Sequence, residues 1–262
     1  AQAHPATHVI VVDDGSDDDS LAVLERFGER IEVVAKANGG QASALNAGLE
    51  RCRGDVVMFL DADDFLRPGI AAAVAAAFAA NPAVVQVQYR LEVVDADGNP
   101  TGALNPPAHI ALPGGDLRRA KLTFPFDVVH AGGTTGNAYR IDALRDLAPI
   151  PEREFARCAD WYLVHLIPLF GEVVALDGVG GAYRVHGANS YAPQVPVLDL
   201  GRVHQTVEYA AATRGEIHRV AEERGIELPY ASIRSVSALG NRLISLALDP
   251  ERRFKYLGRL PE

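Results

Sequence analysis

The chain is poor in the residues that make covalent or metallic cross-links. It holds two cysteines in 262 residues, Cys52 and Cys158, without metal-ligand spacing. That excludes a disulfide-stapled scaffold or a cysteine-based zinc module, and makes a reduced, cytoplasmic protein the default expectation. The sequence alone does not decide whether the two pair. Positive charge is also scarce, with 25 Lys and Arg against 34 Asp and Glu and a net charge of -9. A general nucleic-acid-binding surface, which would be basic, is excluded; a local basic patch for a phosphate-bearing substrate is not. No apolar run reaches the ~18 residues of a membrane span. The alanine-rich stretch Ile70–Ala80 is too short, and reads as a helix opened by Pro68-Gly69 and stopped by Asn81-Pro82. There is no internal repeat. The 48% hydrophobic content suffices for one large α/β domain, or one domain with a small appendage.

What is present is two acidic clusters, each ending an apolar run. One is Val9-Ile10-Val11-Val12-Asp13-Asp14-Gly15-Ser16, the other Val56-Val57-Met58-Phe59-Leu60-Asp61-Ala62-Asp63-Asp64. Short β-branched runs bounded by polar turns read as buried strands of a parallel sheet. In open α/β sheets ligands lie beyond the carboxyl ends of the strands. Two strands delivering carboxylates to one edge suit a cation, and magnesium or manganese bridging carboxylates to a diphosphate fits best.

Periodicity places strands at 9–12, 31–35 and 55–60, and helices from about residue 17, at 41–51 and at 68–80. This alternation implies a parallel sheet with right-handed crossovers. Strands are expected at 84–89, 91–95, 172–176 and 181–185, with a turn at Asp97-Gly98-Asn99-Pro100. Residues 100–125, with five prolines, read as a long loop. A helix is expected over 160–170, and amphipathic helices over 199–224 and 231–248.

Between the clusters runs Asn38-Gly39-Gly40-Gln41-Ala42-Ser43-Ala44-Leu45-Asn46-Ala47-Gly48. With the clusters, this resembles the family 2 glycosyltransferases, which show V-D-D-G-S, N-x-G-x-x-x-x-x-N-x-G and F-L-D-x-D-D in this order and at about these separations. The likeness is densest over residues 9–69 and continues more weakly to about residue 192. It implies an α/β, GT-A, Rossmann-like, mostly parallel sheet flanked by helices, with a C-terminal helical region. The expected division is a GT-A domain over 1–196 and a helical region over 197–262. Relatives begin with one more strand and helix, which have no counterpart here, so a sheet short of that strand is expected.

The resemblance assigns roles. It implies that Asp61 reaches the ribose of a nucleotide diphosphate-sugar and that Asp63 ligates Mn²⁺ or Mg²⁺, with Asp64 an alternative ligand or a support. Asp14 would accept a hydrogen bond from the imide N–H of a uracil-like base, while Asp13 supports the turn. Gly39 and Gly40 let backbone approach the nucleotide, as glycine permits. Leu45 stands where many relatives carry Arg. Cys158-Ala159-Asp160-Trp161 matches the family's general-base segment, with Ala159 where Glu is common, and makes Asp160 the base of an inverting transfer. Tyr183-Arg184-Val185-His186 resembles a Y-R-x-H segment, in which Arg184 pairs with phosphate and His186 binds metal or diphosphate oxygen. Thr134, Thr135 and Asn137 are candidates for sugar or acceptor hydroxyls.

The reading is an inverting, metal-dependent transfer from a nucleotide diphosphate-sugar, expected to be UDP-linked. The acceptor would be a hydroxyl of a glycan, a lipid-linked glycan or a protein. No nucleic-acid partner and no transmembrane segment are expected, and peripheral membrane contact is compatible. Three rivals stand beside it. A haloacid-dehalogenase-like phosphatase also ends a strand in D-x-D, but its motif opens the domain. A nucleotidyltransferase of similar fold carries a Gly-rich loop absent here. A truncated domain could bind nucleotide-sugar without turnover.

Overall fold

The computed structural model describes residues 7–128, 130–131, 133–187, 189, 200–228, 240–241 and 243–244. The chain falls into two compact units, one of Ala1–Leu117 with Val129–His186, the other of Arg118–Val128 with Gly187–Glu262.

The larger unit opens with β1 (Ile10–Asp13), α1 (Ser20–Glu25), β2 (Glu32–Ala35), α2 (Gln41–Arg51) and β3 (Val56–Met58). β4 (Phe65–Leu66), α3 (Ile70–Ala80), β5 (Val84–Val94) and β6 (Pro100–Asn105) follow. In chain order the smaller unit then supplies α4 (Arg118–Thr123). The larger unit resumes with β7 (Asn137–Arg140), α5 (Ile141–Leu147), α6 (Ala159–Leu166) and β8 (Glu172–Arg184). The smaller unit also holds α7 (Leu200–Glu223), which buries one face through His204, Val207, Ala210, Thr213, Ile217 and Val220. That three-to-four spacing is an amphipathic helix stripe. The second expected C-terminal helix, 231–248, lies almost wholly outside the described residues.

β1 and β2 pair in parallel. The larger sheet has the order β3-β7-β5-β8-β4, with β6 alongside β5. The α/β class holds, but the expected mostly parallel sheet is mixed. β5 and β8 are parallel, whereas β7 runs antiparallel to both β3 and β5. The crossover through α3 leaves β3 and β5 pointing the same way with a slot between them, and a strand 43 residues after β5 fills it (137 minus 94). Nothing local in the β-α-β pattern announces such an insertion.

Two further expectations change. The runs 84–89 and 91–95 are one strand, because Arg90 stays in the ladder while its guanidinium turns onto the carbonyls of Pro106, Pro107 and Ile110. The runs 172–176 and 181–185 are likewise one strand. Between Gln88↔Ala175 and Arg90↔Val179 the register shifts by two residues, so 176–178 bulge outward and break the apolar pattern. The expected loop 100–125 contains β6, an edge strand that opens with Pro100, as edges permit. It also contains α4.

The core forms where α3 lies on β5. Ile70, Val74 and Phe78 stand one helical turn apart and bury against Val84, Val87, Tyr89 and Leu91 of β5 and Ala138 of β7. Arg140 covers the edge, its guanidinium carbon 5.2 Å from the Phe78 ring centre and its Nε donating to the Val84 carbonyl at 2.8 Å. Gly180 is required here: a Cβ would stand 2.3 Å from the Tyr89 ring and 2.7 Å from Ile70. Both cysteines are free thiols. Among the described residues, no helix is long and apolar enough to cross a membrane.

Candidate active site

The strand ends carry the acidic clusters, and each carboxylate has a distinct setting. Asp13 closes β1 by accepting a hydrogen bond from Ser16 N–H at 2.8 Å, the turn role expected of it. Asp14 accepts from Lys36 Nζ at 2.6 Å on one oxygen and from Gly40 N–H at 2.6 Å on the other, and Gly39 N–H reaches both at 3.0 and 3.1 Å. Burial pushes its carboxyl up, but the Lys36 hydrogen bond and the Gly39 and Gly40 N–H groups outweigh it and hold the group below the usual range. Asp14 is thus the anchor of the Gly39-Gly40 turn. Gly40 has φ +84°, and a Cβ on it would lie 2.5 Å from the Ala156 carbonyl oxygen, so that turn admits only glycine.

The second cluster lies in the tight turn after β3, closed by Asp64 N–H donating to the Asp61 carbonyl at 3.1 Å. Asp64 accepts from the Thr135 hydroxyl at 2.7 Å and from Arg184 N–H at 3.0 Å. Burial raises its pKa, only partly offset by those two bonds. Asp61 is pushed up to about 7, first by burial and then by the charges of Asp160 and Asp64. The Asp160 carboxylate of α6 thus adds to burial in disfavouring ionised Asp61 in the turn after β3. His186 Nε2 lies 2.9 Å from Asp63 Oδ2. Arg184 braces the same turn, its Nε donating to the Asp63 carbonyl at 2.9 Å and a terminal nitrogen to the Ala96 carbonyl at 2.7 Å.

Asp160 stands in the first turn of α6. Its Oδ1 accepts from Trp161 N–H at 2.9 Å and from the Cys158 thiol at 3.2 Å. Among the described residues no donor is placed on Oδ2, which leaves that oxygen open as an acceptor.

The structure thus brings Asp61, Asp63, Arg184 and His186 together, with Asp160 in electrostatic reach of Asp61. Asp14, Gly39 and Gly40 form a second group beside Gln41. Thr134, Thr135 and Asn137 are corrected. All three are buried, and their polar groups are taken by the protein. Thr134 accepts from Gln41 Nε2 at 2.9 Å. Thr135 braces Asp64 and accepts from Asp61 N–H at 3.2 Å. Asn137 bonds Gln86 at 2.8 Å and the Gly133 carbonyl at 2.9 Å. Thr134 and Thr135 brace the carboxylate cluster, and Asn137 ties β7 to Gln86 of β5. Sequence reasoning missed Lys36 and Gln41. A lysine one residue past a strand end was the only signal for the first, and the motif's own variable position for the second.

The donor set fits a divalent cation carried by a diphosphate. Among the described residues no three His, Cys, Asp or Glu side chains group as metal ligands. Magnesium and manganese, however, are commonly held by one or two protein groups plus phosphate oxygens, and Asp63 with His186 offers two. Asp61 is raised first by burial, and the charge of its acidic neighbours that adds to it is the field a cation relieves.

Comparison with known proteins gives the family. The model of the family described as Glycosyl transferase family 2 matches residues 1–147. An uncharacterised glycosyltransferase of Nostoc sp. is 30% identical over 199 residues, 73% of this chain and 59% of that protein. This chain therefore spans less than two thirds of that relative's length. An undecaprenyl-phosphate 4-deoxy-4-formamido-L-arabinose transferase of Pseudomonas syringae is 48% identical over 60 residues, 21% of this chain and 18% of its own. Among solved structures, TarS of S. aureus in complex with UDP superposes with a TM-score of 0.54 at 17% identity, covering 97% of this chain and 65% of that one. At that identity the likeness concerns the fold. The family match over more than half the chain removes the phosphatase and nucleotidyltransferase alternatives: the chain belongs to glycosyl transferase family 2.

Proposed function

We propose that this protein transfers a sugar from a UDP-linked donor to a hydroxyl of a glycan or lipid-linked acceptor, with inversion, at the edge formed by Asp61, Asp63 and Asp160. The observation that carries the reading is the convergence of the β3 turn and the α6 N-terminus, which Gln41 spans, accepting from Ala159 N–H at 2.8 Å while its amide nitrogen lies 3.4 Å from Asp61 Oδ1. The UDP complex of the structural neighbour supports the nucleotide, and a second complex of that neighbour, with UDP-GlcNAc, supports a UDP-sugar donor. The name of the Pseudomonas relative supports a polyprenyl-phosphate-linked partner.

In this reading Asp14 and the Gly39-Gly40 turn it ties to Lys36 shape the base-binding edge, and Asp61 reaches the ribose. Asp63 and His186 would hold Mn²⁺ or Mg²⁺, which when bound supplies Lewis-acid neutralisation of the diphosphate. Arg184 keeps the Asp63 turn in place and adds positive charge beside it. Asp160 Oδ2 takes the proton of the acceptor hydroxyl as its oxygen bonds to the anomeric carbon. The bond from that carbon to the phosphate oxygen breaks with the electron pair leaving on UDP. Attack opposite the leaving group inverts the centre.

Calorimetric titration of UDP in Mn²⁺ and in EDTA tests the reading on wild type and Asp63→Ala. Tighter binding with Mn²⁺, abolished in the variant, is expected. UDP affinity that ignores both Mn²⁺ and the substitution contradicts it.

A further inference from the structure

The two halves of the proposed chemistry come from distant parts of the chain, and a single helix holds the segment that bears the base. α2 reaches residues 150–160 at two levels. Near its middle, Asn46 clamps Ile150 from both sides, accepting from Ile150 N–H at 2.9 Å and donating to the Ile150 carbonyl at 2.9 Å. The same amide reaches Glu152 at 3.1 Å. At its first residue, Gln41 N–H donates to the Ala156 carbonyl at 2.6 Å, and Gln41 Oε1 accepts from Ala159 N–H at 2.8 Å. The other end of that side-chain amide donates to Thr134 at 2.9 Å and lies 3.4 Å from Asp61 Oδ1.

An amide suits this place. Ala159 opens α6, so its N–H lacks an intrahelical acceptor and needs one from elsewhere. Thr134 Oγ1 and Asp61 need a donor. Gln41 presents an acceptor and a donor on one planar group, where Glu would present two acceptors and Met neither. Gly40 lets the chain press against Ala156 so that the side chain can span the gap.

We propose that Gln41 is a positioning residue for the transfer, fixing the start of α6, and with it Asp160, against the turn that carries Asp61. This rests on the reading of Asp160 as the base. The residue touches no reacting atom in this account; it acts through Ala159 and Asp160.

Two measurements on the full chain test it. The first is amide hydrogen exchange without ligand, and does not depend on any substrate. Gln41→Met is expected to speed exchange of the 156–162 amides at least tenfold while those of α2 and β3 stay as in wild type. Gln41→Glu should stay within threefold of wild type there, because a carboxylate oxygen still accepts from Ala159 N–H. Unchanged exchange in Gln41→Met overturns the proposal. If that variant fails to fold, Gln41→Asn, one methylene too short to reach Ala159, is read by the same rule. The second is UDP release from the UDP-sugar that wild type consumes. Gln41→Met should lower kcat by 10- to 100-fold with donor KM and UDP affinity within threefold. An unchanged kcat, or a loss confined to KM, overturns it. Asp160→Asn in the same assay separates the two ideas. If it turns over like wild type, the base reading fails, while the exchange result still judges the hold of Gln41 on α6.

Discussion

Thr135→Val removes one hydroxyl and little volume from a fully buried position. In the protein that hydroxyl donates to Asp64 at 2.7 Å and accepts from Asp61 N–H at 3.2 Å. A hydrogen bond to a charged acceptor contributes about 1.5–3 kcal/mol and a neutral one about 0.5–1.5, so the loss should be about 2–4 kcal/mol. For a chain of this size that is a fall of roughly 5–15 °C in Tm. The loss should also depend on pH. The Thr135 bond favours the ionised form of Asp64, whose pKa burial has already raised. Without it the folded-state pKa climbs further, so the variant is penalised most where wild-type Asp64 is ionised. Urea unfolding in EDTA at pH 5 and pH 8 measures this, with a larger deficit expected at pH 8. Thr135→Ser keeps the hydroxyl and loses a methyl, and should cost about 1 kcal/mol. The reasoning fails if Thr135→Val matches wild type at pH 8, or if its deficit is greater at pH 5.

Lys121 is buried with, among the described residues, one long hydrogen bond, 3.5 Å from Nζ to the Pro125 carbonyl, and burial drives its pKa down from 10.5 to about 7. Because the folded pKa is the lower one, the unfolded chain binds the proton more tightly between pH 7 and 10.5, and wild-type stability rises with pH across that window. Lys121→Met should therefore be more stable than wild type by about 1–3 kcal/mol at and below neutral pH, in urea unfolding, with the gap closing towards pH 10; a constant gap would refute it. Gly40→Ala forces a side chain into a glycine-only conformation and onto the Ala156 carbonyl, which should cost about 2–4 kcal/mol in the same assay and weaken UDP binding measured by calorimetry. Equal stability and equal affinity would show that the turn relaxes freely.

The first third of the fold was legible because its signals are local. Apolar runs ending in Asp, a Gly pair opening α2, and alanines between prolines each report on a few neighbouring residues. The carboxylates at the strand tips were legible for the same reason. What stayed hidden is long-range. Gln41 meets Ala159 across 118 residues and Thr134 across 93. Thr135 reads as a hydroxyl available to substrate until the fold buries it against Asp64. The insertion of β7 and the bulge in β8 depend on partners that the local pattern does not name. Lys36 reads as a surface lysine until β2 ends beside β1 and its ammonium meets Asp14.

The central claim is that Asp160 takes the acceptor's proton. Asp160→Asn keeps the shape and an oxygen that accepts from Trp161 N–H, and Asp160 lies inside the first turn of α6 rather than at its cap. Transfer rate and UDP·Mn²⁺ affinity, measured together on wild type and this variant, give the test. The account predicts a rate lower by about 10²–10⁴ with UDP affinity and Tm nearly unchanged. A variant that transfers sugar at the wild-type rate would contradict it.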